Sequence, residues 1–221
     1  MKTTAIIVAA GTGSRFGSEI PKQFLEIAGK PLVVHAIERF SSAPSVDAVI
    51  VVVRSENIPR LGGLEMAKPV RIVTGGATRA QSVANGIAAI EEDVGLVAVH
   101  DGARPFVTVD EIERVIAKAS HTGAACLVAP VTDTIKSVSG HEISGTLDRD
   151  KLCRALTPQV FKVEVLRKAF ETATLDESVT DECYLVEKLG HPIAIVEGSA
   201  RNIKITAPED MMVAEAILRS Q

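Results

Sequence analysis

A mostly parallel, twisted α/β sheet with helices on both faces is predicted by three features of this chain. Short runs rich in Val and Ile alternate with amphipathic segments along its whole length, the rhythm of strands joined by helices. The runs are apolar at nearly every position rather than at alternate ones, as strands buried between two helix layers must be. The first run opens directly onto a glycine-rich loop, Gly11-Thr12-Gly13-Ser14-Arg15-Phe16-Gly17. Loops of this kind let backbone N–H groups approach phosphate oxygens closely.

In order, the strands are expected at Thr4–Ala9, Val46–Val53, Val70–Val73, Leu96–His100, Ala124–Val131 and Pro192–Val196. Pro31–Ser41 reads as a helix, with Pro at its start and Leu32, Val33, Ala36, Ile37 and Phe40 at helical spacing. Arg79–Glu92 places Val83, Ile87 and Ile90 on one face. Val109–Ser120 follows Thr108, with Glu111 three residues on, the pattern of a capping box. Further helices are expected at Val163–Ala173, Asp181–Leu189 and Pro208–Ser220, with Thr180 a good N-cap for the second.

One stretch breaks the rhythm. Asp133–Ala155 alternates through Ile135, Ser137, Val138 and Ile143 around the turn signal Ser139-Gly140-His141, which predicts a β-hairpin arm. Isolated hairpins are marginally stable, so this arm must pack on something, and a second copy of the chain is the natural candidate. Residues 1–221 otherwise read as a single domain, since nothing marks a linker.

Composition excludes several classes of function. The chain carries 24 Lys+Arg against 28 Asp+Glu, a net charge of -4, which disfavours gripping a nucleic-acid backbone. Six Phe, one Tyr and no Trp leave almost no platforms for stacking single-stranded bases. Cys126, Cys153 and Cys183 form no CxxC pair, so neither a zinc knuckle nor a dithiol redox site is written here, and three reduced thiols are expected. The five histidines show no metal-ligand spacing, and no Gly-x-Ser-x-Gly elbow is present. No apolar stretch reaches the ~20 residues of a membrane span. A cytoplasmic protein without nucleic-acid or membrane partners is the expectation.

The glycine loop is informative by what it lacks. Phe16 stands where a dinucleotide fingerprint needs Gly, and no Gly-Lys-Ser/Thr closes the loop as in a P-loop. Instead Arg15 sits inside it, and Lys22 follows Pro21. Two cations around such a loop suit a triphosphate. His100-Asp101-Gly102-Ala103-Arg104-Pro105 follows a predicted strand, and in open α/β sheets ligands bind beyond the carboxyl ends of strands. Asp101 there is positioned to contact a divalent metal or substrate hydroxyls. Gly75-Gly76-Ala77 turns a strand into a helix, and its backbone can read a base edge. Asn202–Thr206 alternates like a strand, with Asn202 and Lys204 opposite Ile203 and Ile205.

These motifs carry a resemblance. AAGTGSRFGSEIPKQF, TGGATRAQSVANGI, VAVHDGARPFV, LTPQVF, VTDECYLVEKLG and GSARNIKITAPEDM together resemble, in order and over essentially the whole chain, the bacterial sugar-phosphate cytidylyltransferases. The likeness is greatest to those that act on 2-C-methyl-D-erythritol 4-phosphate in the non-mevalonate isoprenoid pathway. It implies a Rossmann-like fold that transfers a cytidylyl group from CTP to that sugar phosphate and releases pyrophosphate, with Mg²⁺ held mostly through substrate phosphates and Asp101 its one protein contact. It implies catalytic roles for Arg15, Lys22 and Lys204. Ala9, Ala10, Gly11, Gly76, Ala77 and Ser82 would line the cytosine and ribose site, and Asp101, Gly102 and Arg104 would contact ribose and the methylerythritol phosphate. Thr180 would lie near the erythritol chain. The arm would cross to a partner subunit in a homodimer, where Thr134, Arg149 and Thr157 would help to bind the acceptor phosphate.

Two positions depart from the family pattern. Gly102 stands where Ala is common, and Ala77 where some members carry Asp. A ribitol 5-phosphate cytidylyltransferase of the same fold and a non-catalytic nucleotide or sugar-phosphate sensor are the alternatives, and the HDGARP segment weighs against the former. With so few aromatics, the base is expected to be held by backbone groups in a close slot rather than by stacking.

Overall fold

The computed structural model describes residues 1–11, 13, 16, 17 and 20–220. In chain order its strands are β1 (Lys2–Val8), β2 (Glu26–Ile27), β3 (Lys30–Pro31), β4 (Ala48–Val53), β5 (Val70–Thr74), β6 (Val94–Asp101), β7 (Ala124–Pro130), β8 (Lys136–Ser139), β9 (Glu142–Thr146), β10 (Cys153–Lys162) and β11 (Ala194–Glu197). The helices are α1 (Leu32–Ser42), α2 (Arg79–Ala88), α3 (Val109–Thr122), α4 (Val163–Glu171), α5 (Glu182–Lys188) and α6 (Glu209–Arg219).

Seven strands form one sheet in the order β11-β7-β10-β6-β1-β4-β5. All run parallel except β10, which lies antiparallel between β6 and β7. The period-2 alternation of strand side chains feeds two cores. Ala5, Ile7, Val49 and Val51 face α1 and α3, which contribute Val33, Ile37, Phe40, Ile112 and Val115. Ile6, Ile50, Val52 and Val97 face α2, α4 and α5, which contribute Val83, Ile87, Leu166, Leu185 and Val186. Strands β1, β4, β6 and β7 are therefore apolar on both faces because each face is covered. A smaller cluster of Ile27, Leu32, Phe106, Ile205 and Ala214 seats α6.

The local signals at helix ends hold with one exception. Pro31 is the N-cap of α1, and Thr108 with Glu111 closes a capping box on α3. For α5 the cap is Asp181, not Thr180: its carboxylate accepts from the Tyr184 N–H at 2.9 Å, while Thr180 is exposed. The predicted arm forms as the β8–β9 hairpin, Val138 opposite Ile143, and Gly140 supplies the positive φ of its turn (60°).

Two expectations are corrected. Strand β10 was not foreseen: its sequence contains Pro158, and proline normally argues against an interior strand. Here the proline sits where the β10–β7 register shifts between Ala155 and Gln159, so no ladder hydrogen bond is lost. Asn202–Thr206 is not a strand. Its one backbone link to the central region is Ile205 N–H to the Ala103 carbonyl, 2.9 Å, and Asn202 and Ile205 are both buried rather than on opposite faces of a ladder.

Candidate active site

The chain turns outward from β1 in both directions: β4 and β5 lie to one side, β6 to the other. A crevice opens at such a switch point, beyond the carboxyl ends of the strands. It is a cavity of about 650 Å³. Ala9, Ala10 and Gly11 reach it from the end of β1, Gly76 and Ala77 from the β5–α2 turn, Ser82 from the first turn of α2, and Asp101 from the end of β6. Lys22, Thr180 and Lys204 complete the set of predicted residues that it brings together. No aromatic side chain lines it among the described residues.

The narrow end is built by close backbone approach. A Cβ on Gly75 would lie 2.4 Å from the Ala10 Cβ and 2.9 Å from Ser82 Oγ, far inside contact distance. The Gly76 N–H donates to Ser82 Oγ (3.1 Å), and the Ala77 N–H to Gln81 Oε1 (3.0 Å). Ser82 Oγ in turn donates to the Thr78 carbonyl (2.9 Å). The turn is therefore locked onto the first turn of α2. On the opposite wall, Gln23 is buried, and its Nε2 donates to the carbonyls of Ala9 (2.6 Å) and Gly11 (3.0 Å). It stitches the start of the glycine loop to the 3₁₀ turn Lys22–Phe24. Sequence reasoning missed Gln23 as a site residue, although it follows Lys22 directly.

Asp101 is the electrostatic centre. Its Oδ2 lies 2.9 Å from Lys204 Nζ and 3.4 Å from Arg104 Nε; its Oδ1 lies 3.2 Å from an Arg79 terminal nitrogen. Burial alone would favour the neutral acid, but Arg79, Lys204 and Arg104 outweigh it and hold the carboxyl well below the usual range. Arg79 also pairs with the fully buried Glu182 at 2.6 Å. Burial opposes its charge as well, and Glu182 and Asp101 outweigh that too, raising its pKa. Neither Arg79 nor Glu182 was singled out from the sequence. Arg79 follows the glycine turn as the first residue of α2, but its partner is 103 positions away.

Other predicted residues lie behind or beside the cavity. The Gly102 N–H donates to the Val8 carbonyl (2.9 Å), and an added Cβ would meet the Ala9 Cβ at 3.0 Å. The absent methyl is thus a matter of packing beneath the loop. Arg104 donates to the Asn202 carbonyl (2.8 Å) and backs Asp101; burial lowers its pKa, against the pull of Asp101. Thr157 is buried within its own chain: its Oγ1 accepts from the Asp101 N–H (3.1 Å) and donates to His100 Nδ1 (2.9 Å). It supports the Asp101 backbone rather than presenting a hydroxyl at a surface. Thr134 and Arg149 are exposed at the base of the arm, where Arg149 donates to the Thr132 carbonyl (2.8 Å). Arg15 lies outside the described residues.

His100 is structural. Its Nε2–H donates to the Arg104 carbonyl (3.0 Å) and its Nδ1 accepts from Thr157, the pattern of a neutral ring. Complete burial pushes its pKa down to about 4. Among the described residues no group of three or more His, Cys, Asp or Glu could hold a metal ion. One carboxylate ringed by three cations does not make a resident metal cage.

The family model for 2-C-methyl-D-erythritol 4-phosphate cytidylyltransferase matches residues 3–220. The chain belongs to that family. The enzyme of this name from Rhodopirellula baltica is 43% identical over 97% of this chain and 94% of its own length. The crystal structure of the 4-diphosphocytidyl-2C-methyl-D-erythritol synthase from Anaerococcus prevotii superposes with a TM-score of 0.87 at 28% identity, covering 99% of this chain and 96% of that one. The Thermus thermophilus cytidylyltransferase gives 0.80 at 35% identity over 99% and 100% of the two chains. The family's members are nucleotidyltransferases, and the match favours the methylerythritol phosphate cytidylyltransferases over the ribitol phosphate and sensor alternatives. Among the described residues, no helix of this family member is long and apolar enough to cross a membrane.

Proposed function

We propose that the cavity binds CTP and 2-C-methyl-D-erythritol 4-phosphate and joins them in line, the acceptor's phosphate oxygen attacking the α-phosphorus as pyrophosphate leaves. The observation that carries this reading is the pairing of a glycine- and alanine-lined slot with Lys22, Lys204 and Asp101 in one crevice. The glycine and alanine lining brings backbone close to a bound base and offers it no aromatic to stack on, and the cations match a triphosphate.

The chemistry needs no protein nucleophile, because a phosphate monoester is already an anion near neutral pH. The chain's task is to bring two polyanions together. Lys22 and Lys204, with Arg15 from the glycine loop, neutralise charge that develops on the transferring group. Asp101 orients Lys204, and with Thr180 offers polar atoms to sugar hydroxyls. Asp101 would be the protein contact of a Mg²⁺ ion carried in by the triphosphate, and such an ion would supply charge neutralisation at phosphate oxygens.

The arm supports a homodimer. Val138 and Ile143 are 69% and 67% exposed, and a hairpin with so little apolar surface of its own is marginal unless it packs on something. Arg149 and Thr134 at its base then reach the acceptor phosphate in the partner's crevice. The -4 net charge and reduced thiols suit the cytoplasm. The decisive test is pyrophosphate release with CTP, UTP and ATP against methylerythritol phosphate and ribitol 5-phosphate. Turnover is expected only with CTP and the first acceptor; none with that pair overturns the reading.

A further inference from the structure

Glu182 has no part in the mechanism above, yet it is a fully buried acid paired with Arg79, which lines the crevice. Its carboxylate holds Arg79 by both terminal nitrogens, at 2.6 and 3.1 Å. That fork-on-fork pairing fixes the guanidinium plane. The remaining edge, Nε with one terminal nitrogen, faces Asp101 Oδ1 at 3.3 and 3.2 Å. With Oδ1 so occupied, Asp101 turns Oδ2 to Lys204 at 2.9 Å. Glu182 is itself pinned: its own N–H and that of Cys183 donate to Gln159 Oε1 (3.1 and 3.0 Å), and Gln159 Nε2 donates to Asp181 (2.8 Å).

We propose that Glu182 is a positioning residue that acts through Arg79 and Asp101 to set where the Lys204 ammonium stands. This rests on the reading that Lys204 serves the transferring phosphate. The charge count explains why the arrangement has two arginines. When a phosphate draws Lys204 away from Asp101, Arg79 and Arg104 still neutralise that carboxylate, so the lysine leaves without stranding a buried charge. Glu182 in turn keeps Arg79 from following the phosphate itself. Lys204 is free to change partners because its neighbours are not.

Glu182→Gln keeps the shape and removes the charge that holds the fork. A misplacement of about 1 Å can lower a rate about 10²-fold, so kcat is expected to fall between about 10- and 100-fold, with KM for CTP changed less than threefold. The readout that a merely structural role would not move is the double variant. In a Lys204→Ala background, Glu182→Gln should lower kcat no further. Arg79→Lys, which keeps the charge but cannot fork, should behave likewise, and it decides the matter if the Gln variant does not fold. Unchanged kcat in the single variants, or the same fold-loss with and without Lys204, overturns the inference. Absence of turnover in the wild-type protein would instead overturn the function on which it rests.

Discussion

Lys204 Nζ stands 2.9 Å from Asp101 Oδ2, so the crevice carries its own counter-ion before any substrate arrives. A phosphate must compete with a carboxylate for that ammonium. A single weak anion competes poorly, whereas a triphosphate with several contacts competes well. On the proposed function, this pairing favours polyanions over single weak anions.

Removing either cavity lysine should therefore be costly. Lys22→Ala and Lys204→Ala are each expected to lower kcat by about 10²–10³, the usual effect of deleting one preorganised charge. Steady-state pyrophosphate release on protein with a native circular dichroism spectrum checks this. Near-normal turnover of either variant would refute its role.

The slot at the β5–α2 turn makes a separate prediction about the base. Gly75→Ala drives a methyl into Ala10 and Ser82, so affinity for CTP should fall at least tenfold. The acceptor's KM, read at saturating CTP, should stay within threefold. Calorimetry with CTP measures the first, and undiminished binding would show that the base lies elsewhere.

The arm is tested by charge. Replacing both Val138 and Ile143 by Asp should give a monomer in light scattering, because those two side chains face each other across the hairpin and are exposed. Arg149→Ala should leave the dimer intact and raise KM for the methylerythritol phosphate about tenfold or more with CTP binding preserved. A fully active monomer would rule out shared sites.

Acid should unfold the protein in two separable stages. His100 has a folded pKa of about 4 against an ordinary 6.5, so between those values the unfolded chain binds the extra proton and stability falls as pH drops. The loss is about 3 kcal/mol across that window and is absent above pH ~6.5. Asp101 is depressed instead, so its contribution is fully present above about pH 4 and drains away below it. Urea titrations from pH 7 to 4 on wild type and His100→Asn should show the upper stage in the first and a flatter profile in the second. Parallel profiles would refute the assignment.

What could be read from the sequence was local. The β1–glycine loop junction, the Thr108–Glu111 box and the Gly140 turn each depend on residues within a few positions, and each stands as read. What could not be read depends on distant pairing. Strand β10 hides behind Pro158 because the bulge that tolerates it is set by β7. Lys204 sits in an alternating stretch that no neighbouring strand accepts, so its direction is decided by Asp101, 103 positions earlier. Thr180 and Asp181 are both competent caps, and only the fold chooses between them. Thr157 is tied to Asp101 and His100, 56 and 57 positions earlier, and nothing local to it reveals those bonds.

The reversal of β10 has a consequence for assembly. Its ten residues span about 33 Å, and its first residue pairs with Pro130 at the end of β7. Both stems of the hairpin consequently leave the sheet at the edge where β6 delivers Asp101. A parallel β10 would have carried the far stem to the opposite rim. Running backward, the strand puts arm and crevice on one side of the molecule, so that in the homodimer proposed above a two-fold axis along that rim would let each copy reach into the other.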